Sequence, residues 1–253
     1  MSSQPLKGQQ VAGSGRGEAE PMDRAGQVRR RLLALVIPLT ALLYVLTEGL
    51  NPKGTDQVAD TAADGLKLVV IAGRHPSQLF LSGTLSLLAL GAYAVSYGAI
   101  ASLIRRRGWG VATVAAALGG LAMFCGAIYN VFVGVTLAVV ATAHISQDAA
   151  AQVLVRGFHS AFGQSFLYVY FAGEVVAPFV MAIALWRSRI VPRWLALLFL
   201  VGAEVAEQVA SAGFVVVVVL MAPFLVAMAL LGIRVWRSAG VARPDPGLLP
   251  ESA

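Results

Sequence analysis

Residues 78–109 read QLFLSGTLSLLALGAYAVSYGAIASLIRRRGW, and this stretch decides the class of fold. From Gln78 to Ile104 there is no charged side chain; then Arg105, Arg106 and Arg107 arrive together, followed by Gly108 and Trp109. A helix advances about 1.5 Å per residue, so about 20 apolar residues cross the hydrocarbon layer of a bilayer. Basic residues are retained on the cytoplasmic side and indole rings favour the headgroup region, so this run ends as a membrane helix ends at its cytoplasmic face.

Five further apolar runs surround it, at about 32–50, 110–140, 163–185, 194–211 and 214–235. The run at 110–140 is longer than a simple crossing, which predicts tilt or an extension beyond the lipid. The five valines Val215 to Val219 have the composition of a strand. In lipid an isolated strand leaves its backbone unpaired, so a helix is expected there. The first run follows Arg29, Arg30 and Arg31, as a signal peptide would. It is longer than a typical signal core and ends in Thr47-Glu48-Gly49-Leu50-Asn51 without a small-x-small cleavage site, so it is expected to stay as a membrane helix.

Composition agrees. The 253 residues are 58% hydrophobic and only 13% charged, with a mean hydropathy of +0.75. A soluble domain carries about 25% charged residues. The net charge of +6 does not point to nucleic acid. Most basic residues sit in four groups beside apolar runs: Arg24, Arg29, Arg30 and Arg31; Arg105 to Arg107; Arg187, Arg189 and Arg193; Arg234, Arg237 and Arg243. No folded soluble part carries a basic face with interleaved aromatics, so no nucleic-acid partner is expected. The single cysteine, Cys125, excludes an intrachain disulfide and reads as a packing residue.

The four arginine groups fall on one side of a membrane only if the chain crosses six times, and that side is cytoplasmic. Trp109, Trp186, Trp194 and Trp236 lie at the same ends. The opposite loops carry Lys53, Lys67, Arg74 and Arg156, balanced by Asp56, Asp60, Asp64 and Asp148. The expected fold is therefore an all-α polytopic bundle of six transmembrane helices at 30–238, in the cell membrane, with both termini cytoplasmic. Residues 1–29 and 239–253, rich in small and polar residues or proline, read as disordered cytoplasmic tails. In the outer loop 51–77, Asp56, Asp60, Asp64 and Lys67 recur at helical spacing and predict a short amphipathic surface helix, read first as a cap over the bundle.

Inside the spans, away from their ends, there are carboxylates but no lysine, arginine or histidine. Glu174 falls near the middle of the fourth run and Glu204 near the middle of the fifth, with Glu207 and Glu48 nearer the interface. A charge at the bilayer centre costs about 2.5–3.5 kcal/mol on insertion scales, which makes such residues functional candidates. Glu204, Glu207, Gln208 and Ser211 share one helical face, and Tyr170 lies one turn before Glu174. Pro178 removes the donor that the Glu174 carbonyl would use, and Pro38, Pro178 and Pro223 all permit kinks. Gly119, Ala122, Gly126, Asn130 and Gly134 form a small-residue face suited to close helix contact. The expected site is a polar pocket of Glu174, Glu204, Glu207, Gln208, Asn130 and Tyr170, neutralised by protons or by a cation from outside. The competing reading is an interhelical hydrogen-bond network.

No cofactor and no metal are expected. His75, His144 and His159 are scattered on the outer side without ligand spacing, and nucleotide-binding, hydrolase-elbow and Cys-x-x-Cys motifs are absent. The segments Ala72-Gly73-Arg74-His75-Pro76 and Arg105-Arg106-Arg107-Gly108-Trp109 flank the second run. On these, the region from about 30 to 236 resembles a broad group of bacterial six-helix integral membrane proteins of unknown function. That resemblance implies the fold and carries no catalytic residues. The arginine-heavy basic complement fits a GC-rich bacterial genome. Beyond the lipid bilayer, the expected partner is a small lipophilic or cationic molecule that the pocket binds or moves. The alternatives are a structural accessory subunit and, ranked lower, an enzyme acting on a lipid or isoprenoid with a buried glutamate as general acid.

Overall fold

A computed structural model describes residues 24–52, 59–142, 146–208 and 214–238; the side chains of 138–142, 207 and 208 fall outside the description. The described residues are mostly helical, without strands. In chain order the helices are α1 (Arg24–Leu50), α2 (Ala62–Arg74), α3 (Pro76–Ala101), α4 (Trp109–Thr142), α5 (Gln147–Phe158), α6 (Ala161–Ser188), α7 (Arg193–Gln208), α8 (Phe214–Leu220) and α9 (Ala222–Ser238).

Four of these, α1, α3, α4 and α6, are long and apolar enough to cross a membrane, and α8 with α9 makes a fifth if the bent pair is one span. Described over 16 residues, α7 is shorter than a full crossing. The last residues of the expected run, to 211, lie outside the described residues. Packing makes the arrangement a closed ring: α3 lies between α1 and α4, α6 between α4 and α7, and α9 between α7 and α1. Large apolar side chains such as Leu88, Phe124, Phe171 and Val201 face outward on the ring, while Tyr97, Phe199, Phe224 and Met181 fill its interior. That inside-out distribution is what a lipid solvent permits.

The small-residue face of α4 is divided between two neighbours. A Cβ on Gly119 would come within 2.5 Å of the Tyr97 ring on α3, and one on Gly126 within 2.6 Å of the Tyr170 ring on α6. A Cβ on Gly173 of α6 would press on Ala122. Gly134, by contrast, faces open space.

One end of the ring gathers the arginines. Arg30 Nη1 donates to the Ser238 carbonyl at 3.4 Å. Arg31 stacks over Trp236 at 5.4 Å, and Arg193 over Trp186 at 5.1 Å. Gly108, at φ 91°, brings the α3–α4 turn against the Ala184 carbonyl near the end of α6. The chain starts and ends its described helices at this same end.

At the other end α2 and α5 pack on each other and on α4. A Cβ on Gly65 would reach 2.7 Å from the Ala151 carbonyl, so the two backbones nearly touch. Leu68, Ala72, Leu154 and Phe158 form a small core of their own beneath them. The expected amphipathic helix is thus present, but it starts later than the aspartate spacing implied. Thr61 and Asp64 make a reciprocal capping box that fixes its first turn. Asp60 therefore precedes the helix, and Asp56 lies outside the described residues.

Several boundaries need correction. Helix α5 was not anticipated; its signals are the Ser146 cap, Asp148 in the first turn, Arg156 in the last, and apolar Ala150, Ala151, Leu154 and Phe158 on one face. Residues 24–29, expected in the disordered tail, form the first turns of α1. The second run stops being helical at Ala101, because Leu103 and Ile104 turn back onto the carbonyls of Ile100 and Ala101. Pro38 and Pro178 sit within continuous helices, whereas Pro223 coincides with a 53° bend between α8 and α9. A proline has no N–H and its ring crowds the preceding turn, which accounts for the bend.

Candidate functional site

The sequence places a tyrosine four residues before a glutamate twice in the spans, as Tyr44–Glu48 on α1 and Tyr170–Glu174 on α6. Four residues are just over one helical turn, so each phenol lies on the same face as its carboxylate. The ring brings the two faces together. Glu174 is only 4% exposed. Its Oε1 accepts a hydrogen bond from Tyr170 of its own helix at 2.8 Å and one from Tyr44 at 3.1 Å. Glycine at 126 on α4 opens the space that the Tyr170 ring occupies.

Glu204 is half-buried, yet its Oε1 is shielded from solvent and has no hydrogen-bond partner among the described residues. No lysine, arginine or histidine pairs with Glu174 among the described residues; Lys67 pairs with Asp64 on α2, and His159 lies 3.6 Å from Asp60 at the same end.

An aromatic string runs from this carboxylate into the bundle. Tyr44 meets Tyr93 edge-on at 6.5 Å, Tyr93 stacks on Tyr97 at 5.1 Å, and Phe224 approaches Tyr93 edge-on at 5.8 Å. Beside it, the Thr40 and Ser96 hydroxyls share a buried hydrogen bond of 2.9 Å between α1 and α3. The interior therefore holds one tyrosine-bound carboxylate beside a cluster of aromatic rings packed on one another.

Of the expected site residues, Tyr170 and Glu174 come together, and Glu204 lies on α7, the helix packed beside α6. Asn130 does not join them: its amide donates to the Gly126 carbonyl one turn back on α4, at 2.9 Å. Glu207 and Gln208 are in the last turn of α7, and their side chains are outside the description. Sequence reasoning missed Tyr44, for which the repeated Tyr-x-x-x-Glu spacing is the available signal. His75 sits between α2 and α3, His159 lies 3.6 Å from Asp60, and His144 falls outside the described residues. Among the described residues no three His, Cys, Asp or Glu side chains are grouped to hold a metal.

The class defined by these features is an all-helical protein with four to five helices of membrane-spanning length and apolarity, built around a buried carboxylate. No family model, no curated protein and no solved structure matches the chain.

Proposed function

We propose that the protein is a six-span integral membrane protein of the cell membrane, with both ends cytoplasmic, whose interior binds a small lipophilic cation at Glu174 in exchange for a proton. The observation that carries this reading is a carboxylate only 4% exposed, with two phenols on one oxygen and no cationic side chain beside it. A carboxylate in that setting must be neutralised, by a proton or by a cation. Alternation between the two couples ligand to proton. The aromatic string from Tyr44 to Phe224 favours an organic cation over a metal ion.

The six-span topology is supported by the closed ring, in which α7 occupies a full position between α6 and α9, and by the gathering of arginines and tryptophans at one end. A second reading is favoured by the two short hydrogen bonds themselves: a structural latch joining α1 to α6.

The test uses the full chain in lipid nanodiscs and tetraphenylphosphonium as the probe. Saturable binding that releases a proton, and that Glu174→Gln abolishes in a folded protein, supports the proposal. Absence of binding by the unaltered protein, or equal binding by Glu174→Gln, refutes it and leaves the latch.

A further inference from the structure

A second feature lies at the arginine-rich end of the ring, away from Glu174. The α3–α4 turn carries Arg105, Arg106 and Arg107, the end of α6 carries Arg187 and Arg189, and all five are exposed. No aspartate or glutamate occurs between Arg74 and Asp148, or between Glu174 and Glu204. Neither turn therefore has a carboxylate of its own helices to balance it, and among the described residues none of the five makes an ion pair.

The fold makes one surface of the two turns. Gly108, at φ 91°, lets the α3–α4 turn lie against the end of α6. A Cβ there would meet the Ala184 carbonyl at 3.1 Å and the Arg187 Cβ at 3.7 Å, and Arg107 is one residue from that contact. Helix α6 then closes on Arg189 at φ 54°, a left-handed cap position that glycine or asparagine usually takes. Other residues adopt it rarely, because their Cβ crowds the following carbonyl. A guanidinium kept where glycine would relax the backbone implies a use for the charge. Exposed indoles flank the same turns: Trp109 opens α4, Trp186 lies in the last turn of α6 and Trp194 in the first turn of α7.

We infer that these two turns form one binding surface for the headgroups of anionic phospholipids. Guanidinium forks match phosphate oxygens, and basic residues grouped at the ends of membrane helices attract anionic headgroups. A lipid fits better than an acidic protein, because exposed indoles settle at headgroup level and so set the arginines beside them at phosphate depth. The inference rests on α4 and α6 crossing a membrane and is independent of Glu174.

Native mass spectrometry of the full chain, titrated with phosphatidylglycerol and with phosphatidylcholine, reads the retained lipid. Phosphatidylglycerol is expected to be retained in preference, and equal retention of the two overturns the inference. Arg106→Gln with Arg107→Gln, and Arg187→Gln with Arg189→Gln, are each expected to lower the preference about threefold or more, and all four together about tenfold or more. A loss confined to one turn would overturn the joint surface. Arg106→Lys, Arg107→Lys, Arg187→Lys and Arg189→Lys together keep the charge and are expected to hold the preference within about threefold. A loss as large as with glutamine would overturn recognition by charge. Arg74→Gln with Arg156→Gln, both exposed at the α2–α5 end, is expected to change the preference less than about twofold, since screening confines the effect to nearby charges. An equal loss there would show a response to net charge alone and overturn the surface.

Arg189→Gly separates charge from folding. Glycine relaxes the left-handed position, so the melting temperature is expected to hold or rise while retention of phosphatidylglycerol falls. A lowered melting temperature with unaltered retention would give Arg189 a structural role and overturn its place in the surface. Displacement of phosphatidylglycerol by hexaglutamate at equal concentration would overturn the lipid assignment and give the surface to an acidic peptide.

Discussion

The Tyr44 hydroxyl on α1 donates to Glu174 Oε1 on α6 at 3.1 Å, across 130 residues of sequence. The shorter bond to the same oxygen, 2.8 Å from Tyr170, stays within one helix. Two helices that are not neighbours in the ring are thus joined through one carboxylate oxygen.

Removing either phenol separates the local bond from the long-range one. Tyr44→Phe and Tyr170→Phe are each expected to lower stability in mild detergent by about 1 kcal/mol, the scale of interhelical hydrogen bonds in membranes. A double-mutant cycle of Tyr44→Phe with Glu174→Gln is expected to show coupling of at least about 0.5 kcal/mol. Strict additivity would mean that the bond across the ring contributes nothing.

Glu174→Gln and Glu204→Gln are both expected to insert and fold, since an amide keeps the carboxylate's shape, and both are expected to abolish cation binding. Near-native far-ultraviolet circular dichroism together with lost binding is the expected pair of results. Binding that survives both changes places the carboxylates in a structural role.

Close helix contact makes a further prediction at Gly202 on α7. A Cβ there would lie 2.7 Å from the Phe224 backbone nitrogen and Cα on α9, and backbone cannot swing aside. Gly202→Ala is expected to destabilise by about 1–3 kcal/mol, as overpacking does. Gly91→Ala on α3 meets nothing within 4 Å, and is expected to be neutral or slightly stabilising through helix propensity. Thermal unfolding in detergent compares the two, and equal effects would contradict the packing.

The capping box at α2 carries a pH dependence. Hydrogen bonds from the Thr61 hydroxyl and then from Lys67 hold the Asp64 carboxyl below its ordinary value of 3.8. A depressed folded value means that the cap's contribution is present above that ordinary value and is lost as pH falls through the lower one. Asp64 is solvated, so the effect is confined to the first turn of α2. Amide exchange at Gly65, corrected for intrinsic rates, is expected to accelerate below about pH 4. Asp64→Asn should remove that acid-dependent step, and its persistence would assign it elsewhere.

Topology is open to a labelling experiment. In a Cys125→Ala background, Arg106→Cys is expected to react only with reagents that reach the cytoplasm, and Gly73→Cys only with reagents applied outside. Gly73 is exposed and a Cβ there meets nothing within 4 Å, so the substitution is tolerated. Labelling of both from one side would reverse the assignment.

The four helices of crossing length, α1, α3, α4 and α6, were legible along the chain because lipid imposes a local rule. Each segment must be apolar for about 20 residues and satisfy its own backbone, and both requirements are met within a single stretch. The QLFLSGTLSLLALGAYAVSYGAIASLIRRRGW segment announces α3 on that rule alone, down to the arginines that follow it. Helix α5 was less legible because 12 amphipathic residues do not meet the length rule and pack on α2 instead of facing lipid. Tyr170 and Glu174 were readable as a pair because they lie on one helix. Tyr44 was not, because its partner lies across the ring, and no local pattern records which helices face each other through a shared centre. The convergence of Tyr44, Tyr170 and Glu174, the retreat of Asn130 to its own backbone, and the meeting of the Gly108 turn with the end of α6 all depend on how the helices are ordered around the ring. That order follows from close packing of small residues such as Gly119, Gly126 and Gly202 against particular neighbours, a matter of shape and not of hydrophobicity.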